Sequence, residues 1–327
     1  MSFQPTATLE ALRLRAELLR VVRQFFDARG YFEVETPLLS RDAVVDPHLE
    51  CFEVPGGGLS GESLYLQTSP EFCMKRLLAA GATAIYQLGK VFRKGERGSR
   101  HNPEFTMLEW YRVGDTYLEQ MTFVEELVAA VFAATGAASR PATRVTYRDA
   151  FIRHTGLDAM TLSTAELVSA VRELGITAPE TMSGEDRDGW LNLLLGERVE
   201  PRLGKAGPEF LYDYPASQAA IAKVRPPEGG QPAAAERFEL YVNGIELCNG
   251  YTELTDPQEL RRRMQVESAR RVGEGLPALA PHNRLLEAME RGLPDSAGVA
   301  LGFDRLVMVA GGFGSLDEVL AFPIERA

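Results

Sequence analysis

Apolar residues at Leu9, Leu12, Ala16, Leu19, Val22 and Phe26 recur every three or four positions, the spacing of one helix face. They predict a helix over Leu9–Arg29, stopped by Gly30. Tyr31–Glu35 alternates like a strand, and Pro37 ends it or sets it at a sheet edge. Pro55-Gly56-Gly57-Gly58 with Gly61 reads as a hairpin tip, because a phosphate-cradling loop needs a following Lys-Ser/Thr and a helix. Leu64–Thr68 is a short strand. Ser69-Pro70-Glu71 then opens a helix through Leu78 with a cap residue, a proline at the first helical position and an acid in the first turn. Thr83–Arg93 and Glu104–Arg112 are apolar strands that pair antiparallel around a basic turn, Lys94–Pro103. Leu118–Ala134 is a second amphipathic helix.

The pattern changes between about 155 and 207. Short helical pieces, Ala165–Leu174 and Asp188–Leu195, are broken by Gly and Pro, and this stretch reads as an insertion with little chemistry of its own. Phe210–Tyr214 returns to strand. Phe238–Val242 and Ile245–Cys248 flank Asn243-Gly244, the strongest short hairpin signal. Helices follow Asp256-Pro257 and lie near Asn283–Arg291, and the pattern closes on Ser296–Val309. Hairpin-paired strands with helices set around them predict an α+β fold with an antiparallel sheet. A single domain over 1–327 is expected.

Composition narrows the class. Of 327 residues, 45% are hydrophobic and 25% charged, enough to bury a core and too apolar for wholesale disorder. The longest apolar stretch, Leu127–Ala134, falls well short of the roughly 20 residues that span a bilayer. Met1–Glu10 carries no secretory signal. Cys51, Cys73 and Cys248 form no CxxC pair, which suits a reducing compartment; a cytoplasmic, bacterial protein is expected. The net charge of −11 disfavours a sequence-independent nucleic-acid binder and a membrane-surface protein, and favours an acidic pocket for a cationic small molecule.

Common nucleotide and metal signatures are absent. No GxGxxG opens a helix after a strand, and neither GxxxxGK[ST] nor HExxH occurs. His48, His101, His154 and His282 are scattered and read as surface or locally bonded residues, not metal ligands.

Three segments stand out in order: FDARGYFEVETP (Phe26–Pro37), VFRKGERGSRHNPEFTMLEWY (Val91–Tyr111) and GVALGFDRLVMV (Gly298–Val309). With ELCNGYTEL between the second and third, they resemble the three motifs of class II aminoacyl-tRNA synthetase catalytic domains. The likeness is to the lysyl-tRNA synthetase subgroup, from about Leu9 onward and least over 155–207. It implies ATP and Mg²⁺. Arg93, at a strand end, and Arg305, at a helix start, are the arginines of motifs two and three. Their guanidinium forks suit phosphate, and the resemblance gives them the catalytic charge stabilisation. It also implies ATP contacts at Glu96, Asn102, Phe105, Glu246, Leu247 and Gly302. An amino-acid pocket is implied at Ser69, Glu71, Glu109, Tyr111, Cys248 and Glu253, whose acids and phenol suit buried ammonium groups. Glu246 and Glu253 are expected to share one Mg²⁺. Their odd separation points them to opposite faces of a regular strand, so a bulge at Asn249-Gly250 is expected to bring them together.

Motif two departs from the subgroup. It reads Phe92-Arg93-Lys94-Gly95-Glu96 where Phe-Arg-x-Glu is usual, so the acid is displaced by one residue. A full lysyl-tRNA synthetase carries an anticodon-binding OB-fold before this unit. Here the first helix begins about eight residues into the sequence, and no anticodon-binding domain is expected. That, with Ser217 and Gln218 in YPASQAA and ELCNGYTEL in place of EIGNGFSEL, resembles the truncated paralogues that attach (R)-β-lysine to elongation factor P. The resemblance implies an aminoacyl-adenylate passed to a lysine ε-amine of that factor, a homodimer built on motif one, and no productive tRNA binding. The alternative is a truncated lysyl-tRNA synthetase-like enzyme that charges a tRNA or another amine. Cys248 stands where the synthetases carry Gly, and it is expected to fill the volume an α-ammonium needs.

Overall fold

Thr8 accepts a hydrogen bond from the Ala11 N–H and opens α1, Leu9–Asp27. Gly30, at φ +77°, turns the chain out of it. The face that α1 buries is Ala11, Leu18, Val22, Phe25 and Phe26. This corrects the expected stripe: Leu9 and Ala16 are exposed, because the helix rolls its two phenylalanines onto the aromatic cluster of Tyr31, Tyr86, Trp110 and Phe123. The computed structural model describes residues 3–42, 50–138, 140–273 and 283–327. His48 and His282 lie outside the described residues.

Next come β1 (Phe32–Glu33), β2 (Leu39–Ser40), β3 (Glu53–Val54), β4 (Leu64–Leu66), α2 (Glu71–Ala79), β5 (Ala84–Phe92), β6 (Glu104–Val113) and α3 (Tyr117–Thr135). They are followed by β7 (Thr143–Thr146), α4 (Tyr147–Thr155), α5 (Thr164–Glu173), α6 (Arg187–Leu194), β8 (Glu209–Pro215) and β9 (Val224–Arg225). The chain continues through β10 (Ala234–Val242), β11 (Ile245–Thr252), α7 (Pro257–Gly273), α8 (Arg284–Gly292), β12 (Ser296–Gly302) and α9 (Phe303–Ala310). The glycine-rich stretch after Val54 is a hairpin tip, since β3 pairs antiparallel with β4. Asn243 (φ 55°) and Gly244 (φ 74°) form the left-handed turn that joins β10 to β11.

The large sheet runs β1-β5-β6-β12-β11-β10-β8-β7, with β9 on β10. Its pairings are antiparallel except at the two ends, where β1 lies parallel to β5 and β7 parallel to β8. The fold is α+β, as expected. Strand alternation gives the sheet two different faces. Leu108, Trp110, Phe238, Leu240, Val299 and Leu301 point into a core shared with α1, α3 and α9. Glu109, Tyr111, Arg237, Glu239, Asn249 and Tyr251 point the other way, into a cavity. A second apolar cluster, from α4, α5, α6 and the strands beneath them, reaches the cavity lining at Ala219. A third, from α2, α7 and α8, reaches it at Phe72, Leu260 and Met264. No helix among the described residues is long and apolar enough to cross a membrane.

Candidate active site

The cavity holds about 980 Å³ and has two chemically distinct ends. At one end the first turn of α2 meets the central strands. The Ser69 hydroxyl accepts from the Glu71 N–H at 3.0 Å and donates to Glu109 Oε2 at 2.7 Å. Tyr111 donates to Glu109 Oε1 at 2.6 Å. The ammonium of Lys75 donates to Glu71 Oε1 at 2.8 Å and is paired with Glu253. Tyr251 also donates to Glu71. All four charged groups are buried, with exposures of 9% for Glu71, 2% for Lys75, 1% for Glu109 and 1% for Glu253. Burial, reinforced by Glu71, raises Glu109 to about 7. Burial likewise raises Glu253 to about 8, against the pull of Lys75. Lys75 is held above its ordinary value: burial opposes its charge, but Glu253 and Glu71 outweigh that. Three carboxylates thus face one ammonium, an arrangement suited to a ligand that brings further positive charge. Gly298 keeps the space open, because a Cβ there would lie 2.3 Å from Tyr111 and 2.6 Å from Glu253.

Lys75 and Tyr251 were not singled out from the sequence. The signal was there: Lys75 is four residues from Glu71, one helical turn on, and Tyr251 is two from Glu253, the same strand face.

At the other end lie the two arginines. Arg93 leaves β5 with its guanidinium carbon 5.0 Å from the centroid of the Phe105 ring. Its Nε is buried and has no hydrogen-bond partner among the described residues. The displaced acid Glu96 still reaches Arg93, at 3.7 Å, through a turn in which Gly95 takes φ +82°. Arg305, in the first turn of α9, donates to the Glu246 carbonyl at 3.0 Å and its carboxylate at 3.4 Å. It also meets His101 Nε2 at 2.7 Å. Burial, then the nearby arginines, lowers the His101 pKa, so the ring is a neutral acceptor for the guanidinium. His101 is thus a locally bonded residue of the cavity. Leu247 and Gly302 line the same end. Asn102 lines it too, but its amide donates to the Glu104 carbonyl and accepts from the Ile324 N–H, so it braces the loop.

The structure redraws the acidic pair. An irregularity in the β10–β11 ladder sets Leu240 opposite Cys248 and Tyr241 opposite Glu246, so Leu247 is the extra residue. The expected bulge exists, but at Leu247 and not at Asn249-Gly250. It turns Glu246 to the face that carries Glu239. Glu253 lies roughly 20 Å further along the strand by rise per residue, bound to Lys75. Glu246 and Glu253 are therefore not brought to one ion. The carboxylates that share a field with Glu246 are Glu239 and Glu200. Burial raises Glu239 and Glu246 adds to it; Glu200 stands at about 7 by burial and then both neighbours. No group of three or more His, Cys, Asp or Glu among the described residues is arranged for a metal by itself. Mg²⁺ commonly takes only one or two carboxylates and completes its shell with phosphate and water. Glu239 and Glu246, beside Arg305, fit that requirement.

Two further expectations change. Cys248 does not line the cavity. It is 2% exposed and faces the core, opposite Leu240 on one neighbour and Leu301 on the other, because residues 249, 251 and 253 take the cavity side. The 155–207 stretch is not remote from the chemistry. Asp186, Asp188 and Asn192 line the cavity. Ser217 donates to Asp188 at 2.7 Å and Gln218 to Asn192 at 3.0 Å, tying that wall to the floor.

The model of the family of tRNA synthetases class II (D, K and N) matches residues 2–326. The chain is 46% identical to the elongation factor P–(R)-β-lysine ligase of Vibrio vulnificus strain YJ016, over 99% of both chains. It is 47% identical to that of Vibrio parahaemolyticus serotype O3:K6, over 100% of this chain and 99% of the relative. It is 44% identical to that of Klebsiella pneumoniae strain 342, over 100% and 98%. With both arginines and the acidic cluster in one cavity, this chain belongs to the class II tRNA synthetase family, in the group of the elongation factor P–(R)-β-lysine ligases.

Proposed function

We propose that the chain activates (R)-β-lysine with ATP and transfers the β-lysyl group to a lysine ε-amine of elongation factor P. The observation that carries this reading is the excess of buried carboxylates over Lys75, in one cavity with Arg93 and Arg305. A diamino acid supplies two ammonium groups, which Glu71, Glu109 and Glu253 can take. Its carboxylate is then left facing the arginine end.

The substrate carboxylate attacks the α-phosphorus of ATP and expels pyrophosphate. No protein nucleophile is needed, so positioning and charge stabilisation carry the step. Arg93 has a buried unpaired Nε to offer the phosphate, and Arg305 exchanges its contacts with Glu246 and His101 for phosphate oxygens. Phe105 offers a ring for the adenine beside Arg93. Glu239 and Glu246 would hold Mg²⁺, which neutralises phosphate charge when bound. The acceptor amine then attacks the acyl carbon and releases AMP. The reading includes a homodimer, no productive tRNA charging, and a cytoplasmic location shared with the translation factor.

ATP–pyrophosphate exchange against a panel of amino acids, with and without tRNA and elongation factor P, tests the reading. (R)-β-Lysine should give the highest kcat/KM. Arg305→Ala should cut exchange by about a hundredfold or more, the scale for removing one charge-stabilising group. Robust lysylation of bulk tRNA would overturn the assignment in favour of a truncated tRNA-charging enzyme.

A further inference from the structure

The loop between β5 and β6 carries Glu96, Arg100, His101 and Asn102 on its cavity side. Within itself it is held by the Arg93–Glu96 pair at 3.7 Å and a few backbone bonds. The Arg93 N–H donates to the Pro103 carbonyl at 2.8 Å, and Gly98 and His101 exchange bonds of 3.1 and 3.3 Å. Arg97 is absent from the cavity lining and reaches the last stretch of the sequence instead. Its Nε donates to Glu325 at 2.5 Å and its Nη2 to Asp317 at 3.0 Å, while Nη1 donates back to the Gly98 carbonyl at 3.0 Å. One guanidinium thus binds the loop tip and two distant acids together. The same stretch grips the loop twice more: the Leu316 N–H donates to the Ser99 carbonyl at 2.8 Å, and the Ile324 N–H to Asn102 Oδ1 at 3.1 Å. It is itself anchored where Thr6 bonds the carbonyls of Leu320 and Ala321.

We propose that Leu316–Glu325 is a clasp that holds the β5–β6 loop in its ATP-binding register, with Arg97 as the positioning residue. The proposal rests on the ATP-activation reading above. A loop ordered before the nucleotide arrives spares the binding step that ordering cost. Arg97 touches no reacting atom; it acts through Arg100, His101 and Asn102, which share its loop.

The test compares wild type, Arg97→Ala, Arg97→Lys, Glu325→Gln and a chain ending at Pro323. ATP affinity is measured by equilibrium dialysis and, in exchange, as KM. Arg97→Ala should weaken ATP about tenfold, which corresponds to about 1.4 kcal/mol, and leave the KM for (R)-β-lysine unchanged. Arg97→Lys, which keeps one charged contact, should recover part of the loss. The truncation should weaken ATP by itself, and by a smaller factor in the Arg97→Ala background, because the Arg97–Glu325 contact that both remove is already gone there and only the Ile324 bond to Asn102 is left to lose. Hydrogen exchange at Ser99–Asn102, measured without substrates, should accelerate in each variant. An unchanged ATP affinity in Arg97→Ala overturns the clasp, and so does an equal rise in the amino-acid KM, the mark of general structural support. A wild type that binds ATP but activates no amino acid refutes the functional reading, while the dialysis and hydrogen-exchange data still decide the clasp.

Discussion

Lys75 Nζ lies 2.8 Å from Glu71 Oε1, in a site where the lysine keeps 2% of its surface. Its other partner is Glu253, so a single ammonium compensates carboxylates from a helix and from a strand end. Removing one member of such a group leaves the others buried without a counter-charge, at about 3–5 kcal/mol. Lys75→Met is expected to lower the unfolding free energy by that scale, read as a lower urea midpoint at unchanged m. Glu253→Gln in the same background should restore part of it. A midpoint unchanged in Lys75→Met would show that the ion pair is not maintained.

The acidic end predicts a pH dependence with a definite sign. Burial raises Glu109 to about 7 and Glu253 to about 8, so the folded protein holds protons on these acids at pH values where the unfolded chain has released them. A raised carboxylate is tolerated below its ordinary value and costs stability as pH climbs through the shifted one. The ligand-free protein should therefore lose stability between about pH 5 and pH 8. A diammonium ligand reverses this by pairing with the ionised acids. The rise in melting temperature at saturating (R)-β-lysine should be larger at pH 8 than at pH 6. An equal or smaller rise at pH 8 would count against these acids as its partners.

Metal and amino-acid roles should separate by mutation. Glu246→Gln and Glu239→Gln should raise the Mg²⁺ concentration needed for half-maximal exchange, with little effect on the amino-acid KM. Glu253→Gln should raise the amino-acid KM and leave the Mg²⁺ requirement alone. Glu253→Gln with the Mg²⁺ phenotype would return that residue to the ion.

Cys248 belongs to the core, and Cys248→Gly should act there. Losing its side chain and adding backbone freedom costs about 1–2 kcal/mol. The ratio of kcat/KM for (R)-β-lysine over α-lysine should not move. A tenfold shift in that ratio at unchanged stability would place the thiol in the substrate pocket after all.

Leu9 at the start of α1, and Phe32, Leu38 and Leu39 in or beside motif one, are exposed apolar side chains. A homodimer that covers them is expected, and light scattering at micromolar concentration should give twice the chain mass. Phe32→Asp should shift the mass toward one chain. A wild type that scatters as a single chain removes the dimer.

The local plan of the protein was written in its sequence. The first helix, the Asn243-Gly244 turn and the strand pair around Lys94–Pro103 each depend on a few neighbouring residues, and each forms as expected. The motif arginines were also legible, because Arg93 and Arg305 are fixed by the strand end and helix start that carry them. What the sequence could not decide was which side chains meet. One extra residue at Leu247 reverses the alternation of β11, and its place is set by cross-strand pairing to β10. That single offset puts Glu246 with Glu239, leaves Glu253 to Lys75 and turns Cys248 into the core. The hold of Glu325 on Arg97 spans 228 positions, and only the folded chain brings them to one place.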